Sequence, residues 1–408
     1  MKLRIDHQCP QCGAPATLNE TDRLFACAYC RVKSYLIQKD YFRYLLPHSV
    51  PESETLFFFP YWRFKGMLFS CVNDGVKHRF VDVSHQALES RHVPSSLGLR
   101  SQALKLKFVS PETPGRFLKP TLPFETVMHT FLERFRKELP KPVFLQSHIG
   151  ETLSLIYSPF YLQDTLYDGV LNKPVTRALP KGIDFSKFSE EKPGRGIHFV
   201  PTLCPQCAWD LHGERDALVL TCNNCNSAWR PGDNRLKRMN FAHVPGKAKG
   251  TIYLPFWRIK ADVSGIMLDS YADLAKIANL PKAFDHSWHD MEFFFWSPGF
   301  KVRPQTFINL SRALTLSPSR EIRTDEIPEG RLNPVTLSSE EAVESLKITL
   351  ASFIKPPRKF LPRLKEMTIT ANSFLLVYIP FIEKHNELVA PDLRMAVNRN
   401  QLGMAKNL

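Results

Sequence analysis

Eight of the nine cysteines fall into two sets of four. Cys9 and Cys12 lie in CPQC and Cys27 and Cys30 in CAYC; Cys204 and Cys207 again lie in CPQC, and Cys222 and Cys225 in CNNC. Both sets read C-x2-C-x14-C-x2-C. Two residues between cysteines let one tight turn aim both sulfurs at a single point. Two such turns supply four thiolates for a tetrahedral Zn²⁺, with Zn–S near ~2.3 Å. Four thiolates leave no open position for substrate, so both ions are expected to be structural rather than catalytic. A single C-x-x-C could be a redox dithiol, but four cysteines repeated at identical spacing argue against that. The ninth, Cys71, reads as a buried core thiol.

The runs RLFACAYC (23–30) and ALVLTCNNC (217–225) are strand-like and lead into the second cysteine turn of each set. Over roughly residues 7–35 and 202–230 the chain therefore resembles the zinc ribbon, two cysteine-bearing turns joined by short strands. The central gap is one residue shorter than the usual range. Gly13 follows Cys12, as ribbon turns often have it, whereas Ala208 follows Cys207, so the second turn is expected to differ slightly. The resemblance implies metal-dependent folding, on the order of 10 kcal/mol for such modules.

The elements around the cysteines repeat as well. Cys9 and Cys204 are 204 − 9 = 195 apart, and so are Pro60 and Pro255, Trp62 and Trp257, Arg63 and Arg258, and Lys65 and Lys260. The halves end on LIYSPF (155–160) and LVYIPF (376–381), at 380 − 159 = 221. These identities predict an internal duplication, with 221 − 195 = 26 extra residues in the second half. The polar stretch 317–334 is the expected site of that insertion. Before each terminal strand the pattern predicts a helix. Val127, Met128, Phe131, Leu132, Phe135 and Leu139 carry helical spacing in the first half. In the second, a Ser338/Glu341 capping box precedes Val343, Leu346, Leu350, Phe353 and Ile354. Asp74-Gly75 between apolar runs predicts a hairpin.

Four aromatic-proline segments emerge: FFPYWRFK, IYSPFYLQ, IYLPFWRIK and VYIPFIEK. Proline cannot donate to a strand ladder, so each segment is expected to bend, to begin there or to lie at a sheet edge. All four keep the aromatic-proline-aromatic part, which suits a core. Only two add Trp-Arg-x-Lys, and this makes Trp62, Arg63, Lys65, Trp257, Arg258 and Lys260 the candidates for a duplicated binding surface. Exposed aromatics beside cations could stack bases, at ~1–3 kcal/mol each.

Composition narrows the classes further. The net charge of +14 is spread evenly: residues 1–200 hold 27 basic and 19 acidic side chains, and the remainder 27 and 21, so no basic tail marks a nucleic-acid arm. No apolar run reaches the ~18 residues of a transmembrane helix, and MKLRIDHQCP lacks the apolar core of a secretory signal. A cytoplasmic, reducing location is expected, where paired cysteines bind metal rather than form disulfides. No P-loop, dinucleotide fingerprint, G-x-S-x-G or H-E-x-x-H occurs. DHSWHD (285–290), with Asp285, His286, His289 and Asp290, reads as a surface loop, and the basic run 355–365 as a solvated linker.

The expected fold is α+β and β-rich, in two duplicated halves, each a zinc ribbon plus a mixed β lobe with one main helix. The boundaries are ribbon 1–40, lobe 41–180, linker 181–200, ribbon 201–235 and lobe 236–408. The expected function is a non-enzymatic scaffold or adaptor carrying two structural zinc ions and docking a partner protein within a larger assembly. The alternative is a nucleic-acid-binding protein that uses the ribbons and the Trp-Arg-x-Lys segments.

Overall fold

The computed structural model describes residues 3–38, 40–51, 54–176, 188–191, 197–232, 235–246, 248, 250–280, 285–317 and 321–405. Strands dominate, and the chain divides into two compact units. The first holds Met1–Lys65, Val81–Lys137 and Thr152–Thr202; the second holds Gly66–Phe80, Glu138–Glu151 and Leu203–Leu408. The segments 66–80 and 138–151, expected within the first lobe, therefore belong to the second unit. Of the expected linker, 181–187 and 192–196 lie outside the described residues.

In the first unit, β1 (Arg4–Gln8) pairs antiparallel with β2 (Pro15–Asn19), and β3 (Leu24–Ala26) with β4 (Lys33–Gln38). Each hairpin holds two of the cysteines at its turn. The strand β5 (Phe42–Leu45) follows, then the long β6 (Leu56–Val72) and β7 (Gly75–Gln86), which meet at the turn the Asp74-Gly75 signal predicts. After a short α1 (Arg100–Ala103), β8 (Lys105–Phe108) joins β1 in parallel and β5 antiparallel. The strand β9 (Arg116–Phe117) and helix α2 (Phe124–Lys137) precede β10 (Val143–Leu162), β11 (Leu166–Asp168) and β12 (Lys173–Pro174). The end of the expected linker is itself structured: β13 (Ile197–Pro201) pairs with β4.

In the second unit, β14 (Leu220–Cys222), β15 (Ser227–Pro231) and β16 (Leu236–Met239) form a small sheet that carries part of the second cysteine set. The lobe runs through β17 (Phe241–His243), β18 (Ile252–Val263), α3 (Tyr271–Ala278), β19 (Phe295–Pro298) and α4 (Pro304–Thr315). It continues through β20 (Arg323–Thr324), β21 (Arg331–Leu332), α5 (Ser339–Glu344), α6 (Leu346–Phe353), β22 (Ile369–Lys384), β23 (Glu387–Ala390) and β24 (Met395–Asn398). The capping box forms as the residues predict: Ser338 Oγ accepts from Glu341 N at 3.2 Å, and Ser338 N donates to Glu341 Oε2 at 2.9 Å. One main helix per lobe does not describe this unit, because α3 and α4 pack onto its sheet as well. No helix among the described residues is long and apolar enough to cross a membrane.

The aromatic-proline segments lie inside long strands rather than at their ends. The reason is a repeated change of neighbour. Along one side of β18, β21 pairs with Ile252 and Tyr253 and β19 with Phe256 to Ile259, so Pro255 falls in the gap. Along β22, β17 takes Leu376 to Tyr378 and β23 takes Ile382 to Lys384, with Pro380 between. Along β10, β5 takes Ser154 to Tyr157 and β11 takes Phe160 to Leu162, with Pro159 between. In an antiparallel strand the N–H and C=O of one residue point to the same side. The carbonyls of Pro60, Pro159 and Pro255 accept from Ala87, Gly169 and Gly299 at 2.8, 2.9 and 2.8 Å. The absent N–H thus faces a position where no regular strand partner waits, which removes the usual cost of proline in a sheet.

Two apolar cores result. One gathers Ile5, Phe42, Tyr44, Phe59, Tyr61, Ile156 and Phe160 in the first unit. The other, in the second unit, gathers Phe256, Trp257, Phe307, Leu346, Leu376 and Phe381 together with Met67, Phe69 and Cys71. Cys71 is fully buried, and burial pushes its thiol up to about 12.

Candidate metal centres and strand cations

Each cysteine set converges. The four Sγ atoms of Cys9, Cys12, Cys27 and Cys30 lie within 4.8 Å of one another, as do those of Cys204, Cys207, Cys222 and Cys225. A tetrahedral ion with Zn–S near ~2.3 Å needs sulfurs about 3.8 Å apart. Observed separations are 3.7 Å for Cys9–Cys30 and Cys12–Cys27, 3.6 Å for Cys204–Cys225 and 3.4 Å for Cys207–Cys222. Each set can hold one metal ion, and the donors and spacing fit Zn²⁺. Among the described residues, no other group of three or more His, Cys, Asp or Glu side chains converges in this way. DHSWHD forms an exposed 3-10 turn, His286–His289, whose start is held by Asp285 accepting from Ser287 N at 2.9 Å.

The turns share one backbone design. Gly13 N and Ala208 N donate to the carbonyls of Cys9 and Cys204 at 2.9 and 2.8 Å. Cys9 N and Cys204 N donate onward to Ala14 and Trp209 at 2.8 and 2.7 Å. The expected difference at Ala208 is absent in conformation: φ is +72° at Gly13 and +59° at Ala208. What differs is strain, since a side chain in the left-handed region crowds its own backbone.

The sulfur environments also differ. In the second set Trp229 Nε1 donates to Ser227 Oγ at 2.8 Å, which leaves the Ser227 hydroxyl to donate to Cys225 Sγ at 3.0 Å. At the 195-residue offset the first set has Val32 and Ser34 instead. There a backbone amide serves, Tyr29 N to Cys27 Sγ at 3.4 Å. The Asn224 side chain and the Trp209 amide draw Cys207 down to about 6. Burial, reinforced by Cys207, pushes Cys222 up to about 12. A divalent ion would deprotonate the whole set.

The other candidates are mostly interior. Trp62, Arg63, Lys65 and Trp257 are 6%, 1%, 3% and 2% exposed, so these side chains form no surface. Both tryptophans are anchored alike: Trp62 Nε1 donates to Leu122 O at 2.8 Å, and Trp257 Nε1 to Leu337 O at 2.9 Å, each two residues before a helix.

Arg63 sits between two carboxylates. Its Nε and Nη2 grip Asp82 at 3.0 and 2.9 Å, and its Nη1 bonds Glu20, just after β2. Burial works against its charge, but Glu20 and Asp82 outweigh that and hold the guanidinium above its ordinary value. Arg258 has no such clamp. It is half-buried, lies 4.4 Å over the Phe294 ring, and its Nε finds no acceptor among the described residues. Burial holds it below its ordinary value, with only Glu292 opposing. Lys260 reaches that same exposed Glu292 at 3.2 Å. Nothing local in the sequence marks the clamp on Arg63, because Glu20 and Asp82 are distant from it along the chain.

The basic run 355–365 is anchored rather than a solvated linker: Leu361 and Leu364 are fully buried, while Arg358 and Lys359 are exposed. A cleft of about 850 Å³ opens in the first unit among Asp6, His7, Lys105, Lys107, Glu112 and His198. Its charges are mixed, and Asp6 already meets Lys105 at 3.7 Å and Thr17 at 3.1 Å. Nothing among the described residues points to catalysis. Comparison with known families, curated proteins and solved structures gives no match.

Proposed function

We propose that the chain is a non-enzymatic scaffold or adaptor, built on two structural zinc ions, that docks a partner protein in a larger assembly. The observation that carries this reading is the pair of four-sulfur sets, each complete in itself. A closed shell offers no coordination site for chemistry, so the metal serves folding. The nucleic-acid reading loses support from burial: Trp62, Arg63, Lys65 and Trp257 cannot stack bases or meet phosphates from the interior.

We also infer that the halves arose by duplication, and the support is a set of bonds made twice. Leu118 N to Phe58 O recurs as Asn333 N to Tyr253 O, and Leu46 N to Tyr157 O as Val244 N to Tyr378 O. Thr121 and Leu122 N to Ala87 O recur as Thr336 and Leu337 N to Gly299 O. The strand partners match too: β9 lies parallel to β6 as β21 does to β18, and β5 to β10 as β17 does to β22.

These equivalences revise the alignment. The offset rises from 195 to 244 − 46 = 198 at the strands β5 and β17, returns to 253 − 58 = 195, then reaches 299 − 87 = 212 and 333 − 118 = 215. The main addition, 212 − 195 = 17 residues, therefore belongs between Val263 and Gly299, where α3 and the 285–290 turn lie, rather than at 317–334. Residues 318–320 of that stretch lie outside the described residues. Two pseudo-equivalent halves in one chain suit a symmetric or repeated partner.

The test is what co-purifies with the native protein at low salt, together with its zinc content. A defined polypeptide and about two zinc ions per chain is the expected result. Binding to oligonucleotides that falls steeply with salt would instead favour nucleic acid.

A further inference from the structure

Arg63 and Arg258 occupy equivalent places, each following a tryptophan anchored to the carbonyl two residues before a helix. At Arg63 the guanidinium is filled by Glu20 and Asp82. Position 20 + 195 = 215 holds Arg215, and position 82 + 212 = 294 holds Phe294. Both carboxylates are therefore replaced, one by a cation and one by an aromatic ring, while the arginine is kept. We propose that Arg258 is an open carboxylate site that receives an Asp or Glu from an acidic segment of the docked protein. This rests on the scaffold reading and supplies its contact surface.

The local chemistry selects the occupant. A planar guanidinium takes a carboxylate through two parallel bonds, as Arg63 does with Asp82 at 3.0 and 2.9 Å. Arg258 Nε is buried without an acceptor, so an incoming carboxylate would be met by the two Nη nitrogens at the open end of the guanidinium. On the same face Lys260 already holds one carboxylate, Glu292, which is 67% exposed and weakly bound. Half-buried Phe294, Trp296 and Leu375 flank the cations with apolar surface. Nucleic acid fits less well, because the Phe294 ring is already covered by Arg258 at 4.4 Å and Lys260 at 5.6 Å and offers that face to no base. An acidic segment with interspersed apolar residues matches both the charge and the flanks.

The probes are labelled twelve-residue peptides in which Asp or Glu alternates with Leu or Phe at varied spacing, their Asn/Gln counterparts, and a twelve-base oligothymidine, titrated into the full chain. Acidic peptides should bind saturably, and Asn/Gln versions at least tenfold more weakly. Arg258→Gln should lose tenfold or more, Arg258→Lys should recover only part, and Glu292→Gln, which frees Lys260, should tighten binding about threefold, within the range of an exposed ion pair. Unchanged zinc content and thermal midpoint show that each variant is folded. Equal binding by wild type and Arg258→Gln, binding by none of the acidic peptides, or displacement of the peptide by oligothymidine would each overturn the site. Failure of the scaffold reading looks different: no polypeptide co-purifies with the wild type. A partner still held by Arg258→Glu would sink the site and leave the scaffold reading standing.

Discussion

Arg63 and Arg258 follow tryptophans anchored in the same way on the same kind of strand, yet one is 1% exposed between two carboxylates and the other half-exposed beside an aromatic ring. The first has become part of the architecture. Glu20 follows the first cysteine-bearing hairpin and Asp82 lies in β7, so Arg63 ties the two together through charge. The second unit anchors its tryptophan through the same kind of indole bond but leaves the arginine over the Phe294 ring with no carboxylate bonded to it. Two strands with the same tryptophan anchor can thus differ in whether the arginine that follows is satisfied by carboxylates.

Metal removal should produce the largest effect. Cys27→Ser and Cys222→Ser should each lower zinc from two ions to one per chain, measured by elemental analysis, since each removes one ligand of a four-sulfur set. The lost binding is on the order of 10 kcal/mol for a structural site. The two should differ in reach. Disordering the first ribbon also withdraws Glu20 from Arg63, so Cys27→Ser should lower the thermal midpoint of the first unit more than a local ribbon defect would. Equal losses of midpoint for Cys27→Ser and Cys222→Ser would break the link between metal site and lobe.

The arginines come next. Arg63→Met strands the buried Glu20 carboxylate and leaves the half-buried Asp82 with Gln102 alone, and should cost about 3–5 kcal/mol in urea unfolding. Arg258→Met strands none and should fall within about 1 kcal/mol of wild type. Similar losses at both positions would mean that Arg258 is structural after all, and that the difference in partners has no energetic consequence.

A smaller difference separates the sulfur environments. Ser227→Ala removes the hydroxyl that meets Cys225 Sγ at 3.0 Å and also strips Trp229 Nε1 of its acceptor. Loss of such an outer-sphere bond typically weakens metal binding 10–100-fold, roughly. Chelator competition should therefore show the second zinc leaving earlier than in wild type while the first is unchanged. Loss of both ions in parallel would show that the hydroxyl does not distinguish the sites.

How far these contrasts were readable in the residues follows from range. The eight ligands were legible because each pair of cysteines is two residues apart and needs only a local turn. The helix at 339–353 was legible through its capping box. A similar signal at Ser270 and Asp273, and Pro304 ahead of periodic Phe307, Ile308, Leu310 and Leu314, mark α3 and α4 in the sequence as well. The prolines could not be explained locally, since their tolerance depends on where two short neighbours meet a long strand. Nor could the clamp on Arg63, whose partners lie 43 and 19 residues away. The apportioning of 66–80 to the second unit depends on burial of Met67, Phe69 and Cys71 against residues such as Phe307, a tertiary preference without periodicity.

The smallest effect concerns the turns themselves. Gly13 and Ala208 hold the same left-handed backbone and make the same bond to the first cysteine of their set. At Gly13 an added Cβ would meet nothing within 4 Å, so Gly13→Ala tests backbone strain alone. It should destabilise by about 1 kcal/mol, and Ala208→Gly should stabilise by a similar or smaller amount, because glycine gains the conformation freely but also gains unfolded-state entropy. Paired thermal midpoints would read both changes against wild type. A loss on Ala208→Gly would mean that the methyl group packs usefully in the second turn, and that the two ribbons diverge in their turns as well as around their sulfurs.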